Sequence, residues 1–208
     1  MIKLAEKINK FLKNTYPHVH CALDFSNPLE LLVATILSAQ CTDERVNKVT
    51  PVLFEKYKTA EDYANAVPEE FMKEIHSTGF YRNKTKNILA TAKKISDDFN
   101  GIVPDSMEKL ISLQGVARKT ANIILGTAYG KNDGIAVDTH VKRLSGRIGL
   151  TKETDPVKIE RDLMKIIPQS DWTDFSHRLI THGRKVCNAR KPDCGNCGIS
   201  SICLYSEK

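Results

Sequence analysis

Lys119 stands where a lysine side chain could act as a nucleophile. It follows Gly115 in the stretch 105–128, whose apolar residues repeat at helical spacing on both sides of that glycine. The pattern predicts a helix-hairpin-helix with Lys119 in the first turn of the second helix. Because the positive end of a helix dipole disfavours a cation, we expect this side chain to spend more time as a neutral amine, which can form a Schiff base. A solvated surface lysine is the alternative interpretation.

Asp138 offers a carboxylate nineteen residues further along the chain. It follows the apolar triplet 135–137 and precedes Val141 and Leu144, which is typical of a helix N-cap. A capping carboxylate bonded to backbone N–H groups stays ionised and rigid. Such a group could also take a proton from Lys119 or balance a developing cation, so capping and catalysis are compatible roles.

The turn of the predicted hairpin could bind a phosphate. Backbone N–H groups at the start of its second helix have no helical partner and lie at the positive end of the dipole. An ordinary pair of antiparallel helices is the alternative, because Gly115 is the only diagnostic residue of the turn.

Four cysteines near the C-terminus are spaced like the ligands of a metal or a cluster. Gaps of six, two and five residues separate Cys187, Cys194, Cys197 and Cys203. In an intracellular chain such cysteines indicate ligands before disulfides. Zinc and an iron–sulfur cluster both accept four thiolates. Cys21 and Cys41 stand apart from this set, and we expect them to be apolar fillers of helix faces.

The elements that must position these residues are helices. Apolar spacing predicts an amphipathic surface helix at 85–99 and a buried helix at 29–40. Helix-start signals occur at Asn27–Pro28, Val67–Pro68, Pro104–Ser106, Asp155–Pro156 and Ser170–Asp171. Strand-like alternation is nowhere sustained. The sequence therefore predicts an all-α fold of roughly ten short helices, with a break between two lobes at the turn-forming stretch 129–134.

The composition favours a polyanionic partner. Lys and Arg total 31 against 25 Asp and Glu, a net charge of +6, which favours nucleic acid without proving it. Aromatic residues are 7% of the chain, which leaves little for stacking on single strands and favours duplex backbone contacts. No apolar stretch reaches the ~20 residues of a membrane span, and no secretory signal is expected. We expect an intracellular, most simply cytoplasmic, monomer with no membrane partner.

Four segments together resemble the endonuclease III family of the helix-hairpin-helix DNA glycosylase superfamily. They are the 37–43 segment Leu-Ser-Ala-Gln-Cys-Thr-Asp, the hairpin with Lys119, the 137–140 segment Val-Asp-Thr-His and the four-cysteine spacing. The resemblance runs from about residue 23 to residue 204. It implies a bifunctional glycosylase with a [4Fe-4S] cluster that excises oxidised pyrimidines from duplex DNA and cuts the abasic site by β-elimination. On this pattern, residues 22–132 form a helical barrel domain, and 1–21 with 133–208 form the cluster domain.

The resemblance also implies roles for individual residues. Lys119 matches the nucleophile that attacks C1′ of the damaged nucleotide, and Asp138 matches the carboxylate that activates it, so the lyase step needs no metal. Gln40 matches the residue that fills the gap left by the extruded base. Phe80 stands where the family usually has a leucine wedge, although a core position is the alternative for this residue.

The remaining expected site residues follow from the same resemblance. The four cysteines match the cluster ligands. Arg190 and Lys191 lie between the first two of them and look placed to meet DNA phosphates, with a solvated loop as the alternative. Asp43 and His140 are expected members of the base pocket. The hairpin reads Leu-Gln-Gly-Val-Ala at 113–117, where the family usually reads Leu-Pro-Gly-Val-Gly. We expect the loss of the proline to loosen the turn around Gly115, and the methyl of Ala117 to hold a phosphate slightly farther off.

Two other functions fit parts of the pattern. A monofunctional glycosylase for mispaired adenine or thymine belongs to the same superfamily, but such relatives usually lack a lysine at the position of Lys119. A non-catalytic DNA-binding module would make Lys119 and Asp138 fortuitous. Reduction by borohydride in the presence of damaged DNA separates the three, because only a Schiff-base enzyme is trapped covalently.

Overall fold

A computed structural model describes residues 1–206 of the chain, and the predicted all-α fold is confirmed there. No strand occurs among the described residues, and none of their helices is long and apolar enough to span a membrane. The α-helices are α1 Ile2–Thr15, α2 Pro28–Leu37, α3 Asp43–Lys56, α4 Ala60–Ala64, α5 Pro68–Glu74, α6 Tyr81–Phe99, α7 Met107–Ile111, α8 Arg118–Tyr129, α9 Thr139–Ile148, α10 Pro156–Ile166 and α11 Trp172–Lys185. Short 3₁₀ segments are His76–Thr78, Gln169–Asp171 and Ser200–Ile202.

The chain divides into two compact units. The central unit is the continuous segment Cys21–Gly130, and the terminal unit joins Met1–His20 to the chain from Lys131 onward. The boundary lies in the turn-forming stretch 129–134. Gly130 ends α8 there in the left-handed conformation, with a φ of 65°, which glycine adopts at little cost.

Helix α2 is the buried centre of the central unit. Its predicted start is confirmed, because Pro28 takes the first helical position and the Asn27 side chain accepts a hydrogen bond from Glu30 N at 3.0 Å. The helix is buried along nearly its whole length and packs against α3, α6 and α8. It ends at Leu37 rather than at the predicted residue 40, and the next three residues form a turn that Gln40 completes with a φ of 52°.

Helix α6 and the hairpin complete the frame of the central unit. Helix α6 begins at Tyr81, four residues before the predicted 85, and buries Ile88, Ala92 and Ile95. The predicted helix-hairpin-helix is present as α7, a turn and α8, with a φ of 78° at Gly115.

Cys21 and Cys41 pack against the apolar core of the central unit. The expectation for those two was wrong in one respect, since both lie in loops rather than on helix faces.

The terminal unit packs α1 and α9 against α11, and α10 against both α1 and α9. The predicted start at Asp155 is confirmed, because its carboxylate accepts hydrogen bonds from Val157 N and Lys158 N, each at 3.0 Å. Asp171 makes no capping bond at the start of α11. Its carboxylate instead accepts hydrogen bonds from Asn9 and Lys13 of α1, each at 2.7 Å, and these hold its pKa below the usual value although burial opposes them.

Candidate functional site

Lys119 lies in the first turn of α8, as the hairpin pattern predicts. Its side chain is exposed and forms no ion pair within residues 1–206. Ala117 occupies the N-cap and has no side chain that can cap the helix. The start of α8 therefore presents backbone N–H groups without a side-chain cap, together with an exposed amine, as binding an anion and attacking a carbon would require.

Three predicted DNA-contact residues line one pocket of the central unit. Gln40, Phe80 and Gly115 all border it. Phe80 is 61% exposed, which excludes a core position for that ring. Gln40 and Phe80 both have a left-handed backbone, with φ values of 52° and 49°, which is uncommon for residues other than glycine and marks a constrained position.

Asp43 lies close to this pocket in sequence but does not line it. It is the first residue of α3, directly after Thr42, whose hydroxyl accepts a hydrogen bond from Arg45 N at 3.3 Å. Its side chain is half-buried. The described structure therefore groups Gln40 with Phe80 and leaves Asp43 outside that group.

Asp138 caps α9 with its side chain, which confirms the structural part of its predicted role. Its Oδ1 accepts a hydrogen bond from Val141 N at 2.7 Å, and the residue is half-buried. His177 of α11 lies near enough to interact with this carboxylate electrostatically. Burial lowers the pKa of His177, with Asp174 and Asp138 opposing the shift and His20 adding to it. Sequence reasoning missed His177, because nothing in its spacing connects α11 to Asp138.

His140 has contacts that point towards the cysteine segment. Its Nδ1 lies 3.2 Å from Arg143 Nη2, and the same Arg143 nitrogen donates to the carbonyl oxygens of Gly183 at 3.2 Å and Cys187 at 3.0 Å. These bonds tie one turn of α9 to the end of α11. Within the terminal unit, His140 is thus tied through Arg143 to the residues that precede the cysteines.

The four predicted ligand cysteines line one cavity in the terminal unit. Leu144, Ile148 and Ile199 contribute apolar walls to the same cavity. Burial raises the pKa of the Cys197 thiol, and the other three thiols add to the shift, as expected when four sulfurs share a small space. His182 is buried beside them, with its Nε2 3.6 Å from Cys197 Sγ. Four thiols with apolar walls make a suitable donor set for a soft metal or cluster.

The arrangement of the thiols bears on what they could hold. No three His, Cys, Asp or Glu side chains in residues 1–206 are grouped as a single metal ion needs. A structural zinc ion takes four ligands around one centre, whereas a [4Fe-4S] cluster takes one thiolate at each of its irons. The four thiols around the shared cavity supply the number of sulfur donors that either group takes.

Arg147 fixes the segment that carries the predicted phosphate contacts. Its guanidinium donates to Asn188 O at 2.8 Å and Ala189 O at 2.7 Å, and lies 3.3 Å from Cys187 Sγ. Arg190 and Lys191 follow directly and are both exposed. Sequence reasoning missed Arg147, because a single arginine within an amphipathic helix carries no distinctive signal.

Known proteins are similar to the chain over nearly its whole length. Residues 33–169 match the family described as HhH-GPD superfamily base excision DNA repair protein. An endonuclease III of Synechocystis sp. is 58% identical over 98% of this chain and 93% of that protein. An endonuclease III of Bacillus subtilis is 47% identical over 93% of this chain and 88% of that protein. A solved structure of a trapped endonuclease III–DNA covalent intermediate has a TM-score of 0.96 and 42% identity, and the match covers 100% of this chain and 97% of that one.

Substitutions at Asp138 should separate its cap from its charge. Asp138→Ala removes the acceptor for Val141 N and should lower the free energy of unfolding by about 1 kcal/mol. Asp138→Asn keeps an oxygen acceptor and should stay close to the wild type in urea unfolding. An equal loss of stability in both variants would contradict the capping role seen in the hydrogen bond.

Proposed function

The chain belongs to the endonuclease III family of the HhH-GPD base excision DNA repair proteins, and on that premise we propose that it is a bifunctional DNA glycosylase and abasic-site lyase. It excises oxidised pyrimidines from duplex DNA and then cuts the strand by β-elimination. The observation that carries the proposal is the exposed Lys119 amine at the uncapped start of α8. Because its proposed substrate is duplex DNA, we expect the enzyme to act inside the cell.

The proposed chemistry begins at Lys119. Its amine nitrogen forms a bond to C1′ of the damaged nucleotide while the N-glycosidic bond breaks and its electron pair leaves with the base. The adduct opens to an iminium, which acidifies the C2′ proton. Loss of that proton expels the 3′ phosphate, so the strand is cut without a metal.

Asp138 is the proposed partner of this nucleophile. Its carboxylate takes the proton that Lys119 loses and stabilises the positive charge that develops on the sugar. The 2.7 Å hydrogen bond from Val141 N supports this role, because it holds the carboxylate in a fixed position at the start of α9. His177 adds to the surroundings of the carboxylate, and burial favours its neutral form.

The pocket residues of the central unit are the proposed DNA contacts. Gln40 fills the space left by the extruded base, and Phe80 wedges into the stack, which offsets part of the few kcal/mol that extrusion costs. The exposed ring of Phe80 supports this assignment. The turn at Gly115 and the uncapped start of α8 at Ala117 bind a phosphate. Asp43 and His140 are proposed for the base pocket on the resemblance alone.

Cys187, Cys194, Cys197 and Cys203 are the proposed ligands of a [4Fe-4S] cluster. Their shared cavity with apolar walls supports the assignment. When bound, the cluster supplies a scaffold for the parts of the chain before and after the four cysteines.

The proposed domains are a barrel of residues 22–132 and a cluster domain of 1–21 with 133–208. Arg190 and Lys191 are proposed phosphate contacts, held by the bonds from Arg147 to the neighbouring carbonyls.

Removing the amine at Lys119 tests the proposed chemistry. Lys119→Ala should abolish base excision and strand cleavage and still fold, because alanine suits an exposed first-turn position. Asp138→Asn should lower the single-turnover rate by about 10²–10⁴-fold. Lys152→Ala removes an exposed lysine from a loop of the terminal unit and should leave both activities unchanged. Excision that persists in Lys119→Ala would point to a monofunctional enzyme. If neither the wild type nor any variant were active, the result would point to a binding module.

The nature of the cofactor is tested by metal analysis of protein purified without oxygen. The wild type should be brown and contain iron and sulfide. Cys194→Ser should lose this content and expose the segment 186–204 to protease, because that segment has few apolar residues to hold itself. Cys21→Ser should keep its iron, since this residue lies in the central unit. Stoichiometric zinc in an active wild-type sample would contradict the cluster.

The proposed phosphate contacts should be visible in the salt dependence of binding. Replacing both Arg190 and Lys191 by alanine should weaken binding to damaged and undamaged duplex alike and lower the salt slope by about two units. Lys152→Ala should leave the slope unchanged. An unchanged slope in the double variant would show that these side chains point into solvent, and a loss of damage discrimination would mean that they read the lesion.

A further inference from the structure

Helix α6 carries a row of polar side chains that the proposed chemistry does not use. Lys84, Asn87 and Thr91 follow one another at i, i+3 and i+7 and therefore share one face of the helix. Lys84 is 4% exposed and Thr91 is 2% exposed. Polar groups at such depth cost free energy unless each is hydrogen-bonded. The partners of this row therefore indicate what it is for.

Lys84 holds the loop that carries Phe80. Its Nζ donates a hydrogen bond to Thr78 O at 2.8 Å. Thr78 is itself buried, and its hydroxyl donates to Ile75 O at 2.8 Å. Gly79 and Phe80 follow at once, with left-handed φ values of 71° and 49°. The buried ammonium thus fixes the last carbonyl before the two residues that turn the Phe80 ring outward.

Asn87 and Thr91 hold the turn of the hairpin. Asn87 Oδ1 accepts a hydrogen bond from Gln114 Nε2 at 3.2 Å, and Thr91 Oγ1 donates to Gln114 O at 2.7 Å. A Cβ on Gly115 would lie only 2.7 Å from Asn87 Nδ2, so the turn lies close against α6. The expectation that glutamine in place of proline loosens this turn stays a prediction, and two hydrogen bonds to α6 restrain the turn in this chain.

We propose that Lys84, Asn87 and Thr91 are positioning residues, which fix the Phe80 loop and the Gly115 turn on one helix. This inference rests on the proposed function, in which Phe80 enters the base stack and the turn binds a phosphate. Both contacts are made to one duplex, so the distance between them must match the DNA. A single nineteen-residue helix that binds both loops sets that distance before DNA arrives.

The same three residues need not touch DNA for this role. Lys84 and Asn87 line the pocket that Gln40, Phe80 and Gly115 border, but their polar atoms are directed to the two loops. Loosening a tether should therefore change how fully the ring enters the stack. It should leave the attack by Lys119 on an already open abasic site nearly unchanged.

The first experiment compares Lys84→Met with Lys93→Met. Lys93 lies nine residues further along α6, on the opposite face, and pairs with Asp97 at 3.1 Å. The readout is the fluorescence of 2-aminopurine placed opposite an abasic-site analogue in the duplex, measured at saturating protein. Urea unfolding first confirms that each variant is folded under the conditions of this measurement. Lys84→Met should lower the saturated signal at least about twofold and weaken binding about tenfold. Cleavage of a preformed abasic site under single turnover should change by less than about threefold.

The second experiment is a double-mutant cycle on the hairpin tether. Asn87→Ala should weaken duplex binding about threefold in the wild type. In a Gln114→Pro background the same substitution should have almost no effect, because a ring and not a hydrogen bond then stiffens the turn. Additive effects in the cycle would overturn the tether between Asn87 and Gln114.

The outcomes separate this inference from the proposed function. A wild type without excision or cleavage would overturn both. An active wild type in which Lys84→Met and Lys93→Met give the same saturated fluorescence would overturn the positioning role alone. A loss of folding in Lys84→Met leaves the Asn87 cycle as the deciding test.

Discussion

Unpaired N–H groups at the start of a helix are the constraint from which the two proposed catalytic positions follow. Every α-helix begins with donors that need partners, and the starts of α8 and α9 meet this need in opposite ways. Asp138 satisfies the start of α9 with its own carboxylate. Ala117 leaves the start of α8 without a side-chain cap, with Lys119 exposed in its first turn. One helix start thus holds an anion of the protein, and the other is open to an anion of a ligand.

Polar contacts position the remaining functional segments, while apolar burial builds the frame. The apolar core of the central unit holds α2, α6 and α8 together. Phe80 and Gly115 owe their places to hydrogen bonds from α6. In the terminal unit, Arg147 does the same for the carbonyls that precede Arg190. A hydrogen bond has a direction and apolar contact has none, so the loops whose geometry matters are the ones held by polar side chains.

The sequence was most informative where a pattern is local. Apolar spacing predicted the helices, Asn27 and Asp155 predicted their starts, and the four-cysteine spacing predicted residues that share one cavity. It was least informative where a contact joins residues distant in the chain. The bond from Gln114 to Asn87 spans 27 positions, and the bond from Arg147 to Ala189 spans 42. No local sequence pattern indicates either pair of residues. The restrained turn at Gly115 and the fixed loop before Arg190 could therefore be seen only in the structure.

The assignment of Lys119 as the nucleophile is the central claim, and borohydride reduction tests it most directly. Wild-type protein is incubated with duplex DNA that contains one oxidised pyrimidine and is reduced during turnover. The adduct is then digested and the modified peptide is sequenced by mass spectrometry. We expect one covalent protein–DNA species with the sugar remnant on the side chain of Lys119. An adduct on another lysine or on the N-terminal amine, or excision with no adduct at all, would contradict the account.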